Sequence, residues 1–271
     1  MEEIICGDSK EILKTLEAGS VDLVVTSPPY DNLRDYKGYS FDFEGIAREL
    51  YRVLKPGGVI VWVVGDATIE GSESGTSFRQ ALYFKSIGLK LWDTMIYQKL
   101  NGMPLNHNRY EQMSEYMFVF SKEIPKTFNP LLDDCFGAGT QNTGGAVNSA
   151  SKEEKLSNSG GWKGRDVIKD KKIRSNIWGY LRGNGHGATD DAAFEHPATF
   201  PEKLAQDHIH SWSNEGDLVL DPFVGSGTTG KMAKQLGRNF IGIDISPEYC
   251  KLATERINAQ PESLFAPTRE D

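Results

Sequence analysis

The first 64 residues alternate short apolar runs with segments whose apolar residues recur at helical spacing. The apolar runs at 4–6 and 21–25 predict β-strands, and residues 9–16 and 43–54 predict the helices that follow them. The run at 59–64 is continuous, as expected for a strand that is buried on both faces of a sheet. Strands that alternate with helices predict an α/β fold with a doubly wound, mostly parallel sheet.

This periodic pattern weakens in the middle of the chain and returns after residue 196. Residues 137–161 are rich in Gly, Asn and Ser and predict a loop-rich or disordered segment. Ser246 followed by Pro247 is typical of the start of a helix. The elements predicted beyond residue 70 are helices at 78–86, 202–212, 228–236 and 247–257 and strands at 91–98, 116–120, 217–221 and 240–243.

Composition and charge describe an ordinary globular chain of 271 residues. It is 38% hydrophobic, and 30 basic against 38 acidic residues give a net charge of −8. Cys6, Cys135 and Cys250 are far apart, which excludes a disulfide framework and a Cys-rich zinc site and suits a reducing cytoplasm. No apolar run approaches the roughly 18 residues of a membrane span, and the amino terminus lacks a signal-peptide pattern. We therefore expect a cytoplasmic protein without a membrane anchor or a metal site.

A basic segment at 150–185 interrupts this acidic chain. It contains nine Lys or Arg residues and four Asp or Glu residues, which gives a local net charge of +5. A charge run of this kind is commonly a solvated surface. It is also the charge pattern of a nucleic-acid contact, so the overall net charge does not exclude such a partner.

A glycine-rich turn at 221–230 follows one predicted strand and opens the next helix. Its glycines match the G-x-G-x-x-G spacing of nucleoside-cofactor sites, and Asp244 ends the following strand, where a carboxylate can accept bonds from both ribose hydroxyls. Asp221 would repel a pyrophosphate, so the turn suits a cationic ligand such as S-adenosylmethionine better than a dinucleotide. A tight strand-to-helix turn without a ligand is the alternative interpretation.

The tetrapeptide Ser27-Pro28-Pro29-Tyr30 forms the loop after a predicted strand, because two successive prolines cannot continue a central strand. Ligand sites of open α/β sheets lie at this edge. The Ser27 hydroxyl and the Pro28 carbonyl can accept two hydrogen bonds from an exocyclic amino group, and Tyr30 can stack on a planar base. A rigid Pro-Pro turn with a packed tyrosine is the alternative interpretation.

These motifs together resemble those of the permuted, β-class DNA amino-methyltransferases, in which the catalytic loop precedes the cofactor turn and the recognition region lies between them. The resemblance covers about residues 4–66 and 194–257. It implies a Rossmann-like class I methyltransferase fold with a circularly permuted motif order and an inserted DNA-recognition region. The motifs that carry it are Gly7-Asp8, Thr-Ser-Pro-Pro-Tyr at 26–30, Leu-Lys-Pro-Gly-Gly at 54–58, His-Pro-x-x-x-Pro-Glu-x-Leu at 196–204, Asp-Pro-Phe-x-Gly-Ser-Gly-Thr-Thr at 221–229 and Gly-Ile-Asp at 242–244.

The resemblance also implies a division of the chain. Residues 1–124 would carry the catalytic half of the methyltransferase domain, 125–193 a basic target-recognition insert, 194–260 the S-adenosylmethionine-binding half and 261–271 a tail. The residues of the insert expected to contact phosphates of double-stranded DNA are Lys163, Arg165, Lys171, Lys172 and Arg174. Trp162 and Trp178 would support this region or wedge between bases, and Trp178 is equally expected in the core.

Residue roles follow the family motifs by position. The catalytic loop would be Ser27, Pro28, Pro29 and Tyr30. The residues implied for S-adenosylmethionine are Asp8 at the adenine, Asp244 at the ribose, and Thr26, Thr199, Phe200, Asp221, Pro222, Phe223, Gly225, Gly227, Thr228, Thr229 and Ile245. The usual family segment His-Pro-Thr-Gln-Lys-Pro reads His-Pro-Ala-Thr-Phe-Pro here, so Phe200 replaces a lysine and Thr199 is shifted by one position. His208 and His210 are expected to be ordinary surface residues of a helix.

The residue before Pro-Pro-Tyr bears on which amino group is methylated. Within the family, Ser usually marks cytosine N4, and Asp or Asn usually marks adenine N6. We therefore predict a site-specific DNA methyltransferase that flips a base and methylates cytosine N4, with adenine N6 as the alternative. Cytosine C5 chemistry needs a thiolate nucleophile, and no Pro-Cys pair occurs in the sequence.

The sequence also bears on the partners of the protein and on other functions that it could have. Any restriction endonuclease partner would be a separate chain, because the sequence shows no nuclease motif, and the oligomeric state stays open, with a homodimer among the options. An RNA or protein-amide methyltransferase is disfavoured by the basic segment. A catalytically silent DNA-binding module is disfavoured by the intact motifs at 26–30 and 221–229.

Overall fold

The computed structural model describes residues 2–29, 41–102, 109–136, 138–139, 170–183, 187–188, 190 and 200–260. These residues fall into two compact units. The larger unit comes from the parts of the chain up to Asn129 and from Asn176 onward, and the smaller unit comes from Pro130–Ser175. The division predicted at residues 125 and 193 stays a prediction.

Helices and strands alternate along most of the described chain. The helices are α1 (Ser9–Thr15), α2 (Phe43–Val53), α3 (Thr76–Ser86), α4 (Glu202–Trp212), α5 (Thr228–Gln235) and α6 (Pro247–Asn258). The strands are β1 (Glu2–Cys6), β2 (Val21–Thr26), β3 (Leu54–Val64), β4 (Thr68–Ile69), β5 (Ser72–Glu73), β6 (Lys90–Lys99), β7 (Ser114–Ser121), β8 (Leu132–Asp134), β9 (Lys171–Ile173), β10 (Ile177–Tyr180), β11 (Leu218–Asp221) and β12 (Asn239–Asp244).

The main sheet has eight strands in the order β1-β12-β11-β2-β3-β7-β6-β10. β7 runs antiparallel to its neighbours β3 and β6, and the other neighbouring pairs are parallel. The predicted doubly wound, mostly parallel sheet is therefore confirmed. Because β1, β12, β11, β2 and β3 run in one direction, their carboxyl ends meet at one edge, which includes Thr26, Asp221 and Asp244.

The start of β3 differs from the prediction, which placed a helix at 43–54 and the next strand at 59–64. α2 ends one residue before Leu54, where β3 begins. The pairing register between β2 and β3 shifts between Val21 and Leu23, so the first residues of β3 bulge out of the ladder. Gly57 permits this path, because its φ of +79° is one that residues with a side chain rarely adopt.

The helix starts follow local chemistry. The Ser246 hydroxyl caps α6 by accepting from the Tyr249 amide, and Pro247 occupies the first turn, which confirms the predicted start. Asp42 caps α2 by accepting from the Gly45 amide at 2.9 Å.

An apolar core lies between the sheet and helices α1, α2 and α3. Trp62, Phe84 and Phe120 are among its largest fully buried side chains, and their rings meet at centroid distances of 4.8 and 5.1 Å. The Trp62 indole N–H donates to the Gln80 side chain at 2.8 Å, which satisfies a polar group inside the core. This core fixes the strands whose carboxyl ends form the edge described above.

The prediction for His208 is wrong. Its side chain is fully buried, while His210 on the same helix is exposed as predicted. The His208 ring lies 4.7 Å from the ring of Trp178, which is only 7% exposed and belongs to the core. Burial lowers the pKa of His208 to about 3, so this imidazole is neutral at physiological pH. The prediction failed because the face of α4 that carries His208 is covered by strands from distant parts of the chain.

The smaller unit contains the antiparallel pair β8–β9, in which Leu132 pairs with Ile173. Three of the basic residues predicted to contact DNA lie on or next to β9, namely Lys171, Lys172 and Arg174. Among the described helices, none is both long and apolar enough to cross a membrane.

Candidate cofactor and catalytic site

The centre of the site is a hydrogen-bonded carboxylate between two neighbouring strands. β2 and β11 pair in parallel, which brings their last residues, Thr26 and Asp221, side by side. The Thr26 hydroxyl donates to one Asp221 oxygen at 2.6 Å, and the Phe223 amide donates to the same oxygen at 3.0 Å. The Thr229 hydroxyl donates to the other oxygen at 2.7 Å. Thr26, Phe223 and Thr229 were predicted to share a site with Asp221, and each of them is hydrogen-bonded to its carboxylate.

The electrostatics of Asp221 are unusual for a carboxylate. Its side chain is 2% exposed, and burial raises its pKa to about 6 even though three hydrogen bonds favour the ionised form. Among the described residues, no Lys or Arg forms an ion pair with Asp221, and the nearby charge of Asp244 also raises its pKa. An ionised Asp221 therefore presents a negative charge that a cationic ligand would compensate.

The glycine-rich turn between β11 and α5 depends on close backbone packing. Gly225 and Gly227 have φ values of +48° and +83°. A Cβ atom on Gly227 would lie 2.9 Å from the Cα atom of Ala253 in α6. Glycine is therefore required here both for the backbone conformation and for the approach of a helix. The turn ends at Thr228, the first residue of α5.

Asp244 joins this turn to the next loop. One of its carboxylate oxygens accepts from the Gly225 amide at 2.9 Å, and the other accepts from the Ser246 amide at 2.9 Å. A carboxylate oxygen can accept more than one hydrogen bond, so both oxygens keep capacity for a ligand hydroxyl. Asp244 is half-buried, and Ile245 beside it is half-buried as well.

The Gly7-Asp8 segment lies against the same edge. The Gly7 amide donates to the Asp244 carbonyl at 2.9 Å, which continues the pairing of β1 with β12. Asp8 is exposed and caps α1 by accepting from the Glu11 amide at 3.2 Å. The Ser9 hydroxyl donates to the carbonyl of Pro222 at 2.5 Å, a link between two motifs that the sequence analysis did not foresee.

Aromatic rings stand beside the carboxylate. Phe223 is half-buried, and its ring lies 5.4 Å from Phe41 and 6.3 Å from Trp62 between centroids. Trp62 pairs with Thr26 across β2 and β3, so the sheet itself places this indole next to the site. From the sequence, Trp62 was predicted only to belong to a buried strand. Its position near the end of that strand was the feature that could have indicated a place beside the site.

The predicted catalytic loop follows Thr26 directly. Ser27 and Pro29 are half-buried and Pro28 is buried, while Tyr30 lies outside the described residues. Because Thr26 is bonded to Asp221, the start of this loop is held one residue away from the buried carboxylate. The cofactor motif and the catalytic motif therefore share one edge of the sheet.

Comparison with known proteins agrees with this arrangement. A family model described as DNA methylase, for the N6 and N4 methyltransferases, matches residues 21–255. The chain belongs to the DNA methylase family. It is 53% identical over 240 residues to the orphan methyltransferase M.BamHII of Bacillus amyloliquefaciens, covering 88% of this chain and 89% of that protein.

Solved structures share the fold of this DNA methylase. The complex of M1.HpyAVI with SAM has a TM-score of 0.59 and 25% identity, covering 94% of this chain and 100% of that one. The cytosine-N4-specific PvuII DNA methyltransferase has a TM-score of 0.67 and 22% identity, covering 93% and 85% of the two chains. The methylase is thus an S-adenosylmethionine-dependent enzyme that acts on DNA.

The site residues fit this cofactor. S-adenosylmethionine carries a sulfonium and an ammonium group, and Asp221 is a buried carboxylate that lacks a basic partner among the described residues. The cofactor carries a ribose and no phosphate, in agreement with the acidic Asp8 and Asp244 at the same edge. Phe200 is half-buried just before α4, whereas Thr199 lies outside the described residues.

A group of charged residues in the methylase, three of them buried, was not expected from the sequence. Lys231 on α5 and Arg256 on α6 are 2% and 4% exposed, and both form ion pairs with Asp190 and Glu202. The burial of Arg256 was indicated in the sequence by its helical spacing from apolar residues, since it lies near Ala253 and Ile257 on the same face of α6.

The predicted DNA-contacting residues of the methylase are only partly described. Lys163 and Arg165 lie outside the described residues. Lys171 is hydrogen-bonded to Asp134, and Arg174 is bonded to Asp133 at 3.0 Å, so two of the positive charges have acidic neighbours within the smaller unit. Lys172 is exposed and has no ion pair with the residues that the structure describes.

Proposed function

We propose that the methylase transfers the methyl group of S-adenosylmethionine to the N4 amino group of cytosine. The observation that carries this proposal is Ser27 at the head of the catalytic loop, directly after the Thr26 that binds Asp221. A neutral hydroxyl stands where the adenine-directed members of the family usually have a carboxylate or an amide. Adenine N6 is the competing product.

The chemistry of the loop follows from its acceptors. The lone pair of an exocyclic amino nitrogen is delocalised into the base, so the nitrogen is a poor nucleophile. The Ser27 hydroxyl and the Pro28 carbonyl would each accept a hydrogen bond from one of its N–H groups. These two hydrogen bonds would hold the nitrogen in a tetrahedral geometry, with the lone pair free for the new bond. Bound S-adenosylmethionine supplies the electrophilic methyl group, and the displaced proton passes to solvent.

The cofactor placement is part of the same proposal. Asp221 would face the positively charged methionine end, and the two oxygens of Asp244 would accept the ribose hydroxyls. Phe223 would flank the cofactor, and Asp8 would lie near the adenine. The backbone from Gly225 to Thr228 would approach the methionine end closely, because glycines leave room there.

The experiment that tests the product is a nucleoside digest. Unmethylated DNA is incubated with the methylase and S-adenosylmethionine carrying a deuterated methyl group, and the digested nucleosides are separated by mass spectrometry. We expect labelled N4-methylcytosine. Labelled N6-methyladenine in its place would refute the cytosine assignment and establish the alternative product.

A variant of Ser27 tests the role of the loop. Ser27→Ala removes one acceptor for the amino group, and we expect the turnover number to fall by about 100- to 1000-fold, the usual scale for losing one preorganised transition-state hydrogen bond. The affinity for S-adenosylmethionine should stay unchanged, because Ser27 is proposed to contact the target base and not the cofactor. Unchanged turnover would remove Ser27 from the mechanism.

A further inference from the structure

A cluster of four charged side chains, three of them buried and Asp190 half-buried, lies behind the glycine-rich turn. We propose that this cluster is a positioning device, which holds the turn in its cofactor-binding conformation. The cluster consists of Lys231, Arg256, Asp190 and Glu202 and is named the ion cluster. The proposal names residues outside the family motifs for the cofactor, apart from Glu202 in the Pro-Glu-x-Leu segment. It rests on the proposed placement of S-adenosylmethionine at Asp221 and Asp244.

The ion cluster is balanced and closely connected. Lys231 Nζ lies 2.6 Å from Asp190 and 2.7 Å from Glu202. The Arg256 guanidinium reaches Asp190 at 2.8 Å and Glu202 at 3.0 Å. Although burial opposes ionisation, the hydrogen bonds from both basic residues lower the pKa of Asp190 to about 2. Asp190 is therefore ionised at neutral pH, and the ion cluster combines two basic with two acidic side chains.

Arg256 connects the ion cluster to the turn at two residues, and its Nη1 lies 3.5 Å from the Thr228 hydroxyl oxygen. Arg256 Nη1 donates to the carbonyl of Ser226 at 2.5 Å, between Gly225 and Gly227. Gly227 also packs directly against Ala253, one turn of α6 before Arg256. Helix α6 thus supports the turn at two adjacent points, one by packing and one by a charged hydrogen bond.

The other members of the ion cluster fix the arginine. Arginine has five N–H donors in a rigid plane, and Asp190 and Glu202 bind this plane from the sides that do not face the turn. Glu202 is the first residue of α4, two positions after Phe200. The ion cluster therefore ties α4, α5 and α6 together at the base of the turn.

This arrangement has a specific consequence for the cofactor. The segment 225–227 has two glycines with positive φ, so it would lose much conformational freedom if it became ordered only when the cofactor binds. Arg256 fixes the Ser226 carbonyl beforehand, and the Gly225 amide is then directed to Asp244. Preorganisation of this kind raises affinity by removing an ordering cost at binding. It acts on cofactor affinity and leaves the chemical step alone.

Two charge-balanced double variants separate positioning from stability. Arg256→Met with Asp190→Asn removes the bond to Ser226 and keeps the pair of Lys231 with Glu202. Lys231→Met with Glu202→Gln removes the other pair and keeps Arg256 on Ser226. Both changes take one positive and one negative charge from the same cluster, so the second variant is a matched control for the first.

We expect a clear difference between the two variants. The dissociation constant of S-adenosylmethionine, measured by calorimetry, should rise at least about 10-fold with Arg256→Met/Asp190→Asn and less than about 3-fold with Lys231→Met/Glu202→Gln. The KM for the cofactor should follow the same order, while kcat at saturating cofactor and the KM for DNA should match the wild type. Thermal unfolding of the ligand-free variants gives the stability loss of each. If Arg256→Met/Asp190→Asn does not fold, Arg256→Lys serves in its place, because lysine keeps the charge and cannot make all of the arginine contacts.

Other results would overturn the proposal. Equal losses of cofactor affinity in the two double variants would show that the ion cluster only stabilises the fold, and a fall in kcat at saturating cofactor would place its effect on the chemical step. Asp221→Ala serves as the reference for the cofactor site itself. If Asp221→Ala weakens cofactor binding and Arg256→Met/Asp190→Asn does not, the positioning role fails while the proposed site stands. If Asp221→Ala has no effect, the proposed cofactor placement fails.

Discussion

Thr26 and Asp221 stand 195 positions apart in the sequence and share a 2.6 Å hydrogen bond inside the protein. Thr26 ends the strand that leads into the catalytic loop, and Asp221 ends the strand that leads into the cofactor turn. The bond gives a buried carboxylate one of its three donors, and it holds the two loops at a fixed separation. Because burial raises the pKa of Asp221 to about 6, this carboxylate is the group through which pH should act on the site.

Cofactor binding should weaken in mildly acidic solution. Asp221 is ionised above a pKa of about 6, and its protonation would remove the negative charge proposed to face the cofactor. Thr26→Val removes a hydrogen bond to the ionised form, so it should move the midpoint of the pH dependence upward by about one pH unit. Calorimetric titration with S-adenosylmethionine from pH 5 to pH 8 measures this midpoint. Thr229→Val, which removes the donor to the other oxygen, should shift it in the same direction, and an unchanged midpoint in both variants would contradict the role of Asp221.

Asp221→Asn should stabilise the ligand-free protein at alkaline pH while weakening cofactor binding. The pKa of Asp221 is raised from 3.8 to about 6, so its contribution to stability is complete below pH 3.8 and is lost as the pH rises through 6. The ionised group therefore costs about 3 kcal/mol at pH 8, and an uncharged amide avoids that cost. The Thr229 hydroxyl can turn to the Val25 carbonyl, 3.3 Å away, and accept from the new amide. Urea unfolding at pH 4 and pH 8 tests this, and a variant that is equally destabilised at both values would refute it.

His208 should make the protein sensitive to acid. Its pKa is lowered from 6.5 to about 3 by burial, so the stability it contributes is present above pH 6.5 and is lost as the pH falls. Between pH 8 and pH 5 this amounts to about 2 kcal/mol, because the unfolded chain takes up a proton that the folded chain does not. His208→Phe keeps a ring against Trp178 and should abolish this part of the pH dependence. The exposed His210 gives the control, since His210→Asn should leave the difference between the two unfolding free energies unchanged.

Gly227→Ala should damage the cofactor turn far more than an alanine at a comparable glycine elsewhere. Gly216 has nearly the same φ, +82° against +83°, but open space surrounds the position of its Cβ. Gly216→Ala should cost about 1 to 2 kcal/mol for the left-handed conformation alone. Gly227→Ala adds the contact with Ala253 and should cost about 1 to 3 kcal/mol more. Unfolding free energies and cofactor dissociation constants measure both effects, and equal values for the two variants would contradict the close packing at the turn.

Lys172 should contribute more to DNA binding than its neighbour Lys171. Lys171 is already bonded to Asp134, whereas Lys172 is exposed and lacks an ion pair among the described residues. Lys172→Ala should lower the slope of log affinity against log salt concentration by about 0.9, the value of one phosphate contact. Lys171→Ala should lower it less, and Lys14→Ala on α1 should not change it. Fluorescence anisotropy with labelled duplex DNA at several salt concentrations measures the slopes, and identical slopes for Lys172→Ala and the wild type would exclude this contact.

The local features of the fold were predictable because they depend on short stretches of sequence. The apolar runs of β2 and β11, the cap at Ser246 and the glycines of the turn each report the structure of their own neighbourhood. The motifs also placed Thr26 and Asp221 at strand ends, and parallel strands with adjacent ends then required the two to be close. The proximity of Thr26 and Asp221 follows from this arrangement, and their roles in a site stay predictions.

The features that were not predictable depend on contacts between distant segments. The antiparallel direction of β7 is set by its two neighbours, and the burial of His208 depends on strands that arrive from elsewhere in the chain. The ion cluster joins residues 41 and 66 positions apart, and single charges on helices gave no indication of their partners. The helix was predicted to reach Leu54 and the next strand to begin at residue 59, whereas Leu54 and Val59 both pair with β2 and the residues between them bulge out of the ladder.

The strand order of the main sheet also determines when the site can form during protein synthesis. β1 pairs only with β12 in the described sheet, and β2 borders β11, which begins at Leu218. A ribosome that has translated the first 200 residues has made the catalytic loop, while both strands that complete its edge of the sheet are still missing. Pairing across such sequence separations is slow compared with local contacts. A nascent chain can therefore assemble β3, β7 and β6 early, and the sheet edge proposed to bind the methyl donor is complete only after β11 and β12 have left the ribosome.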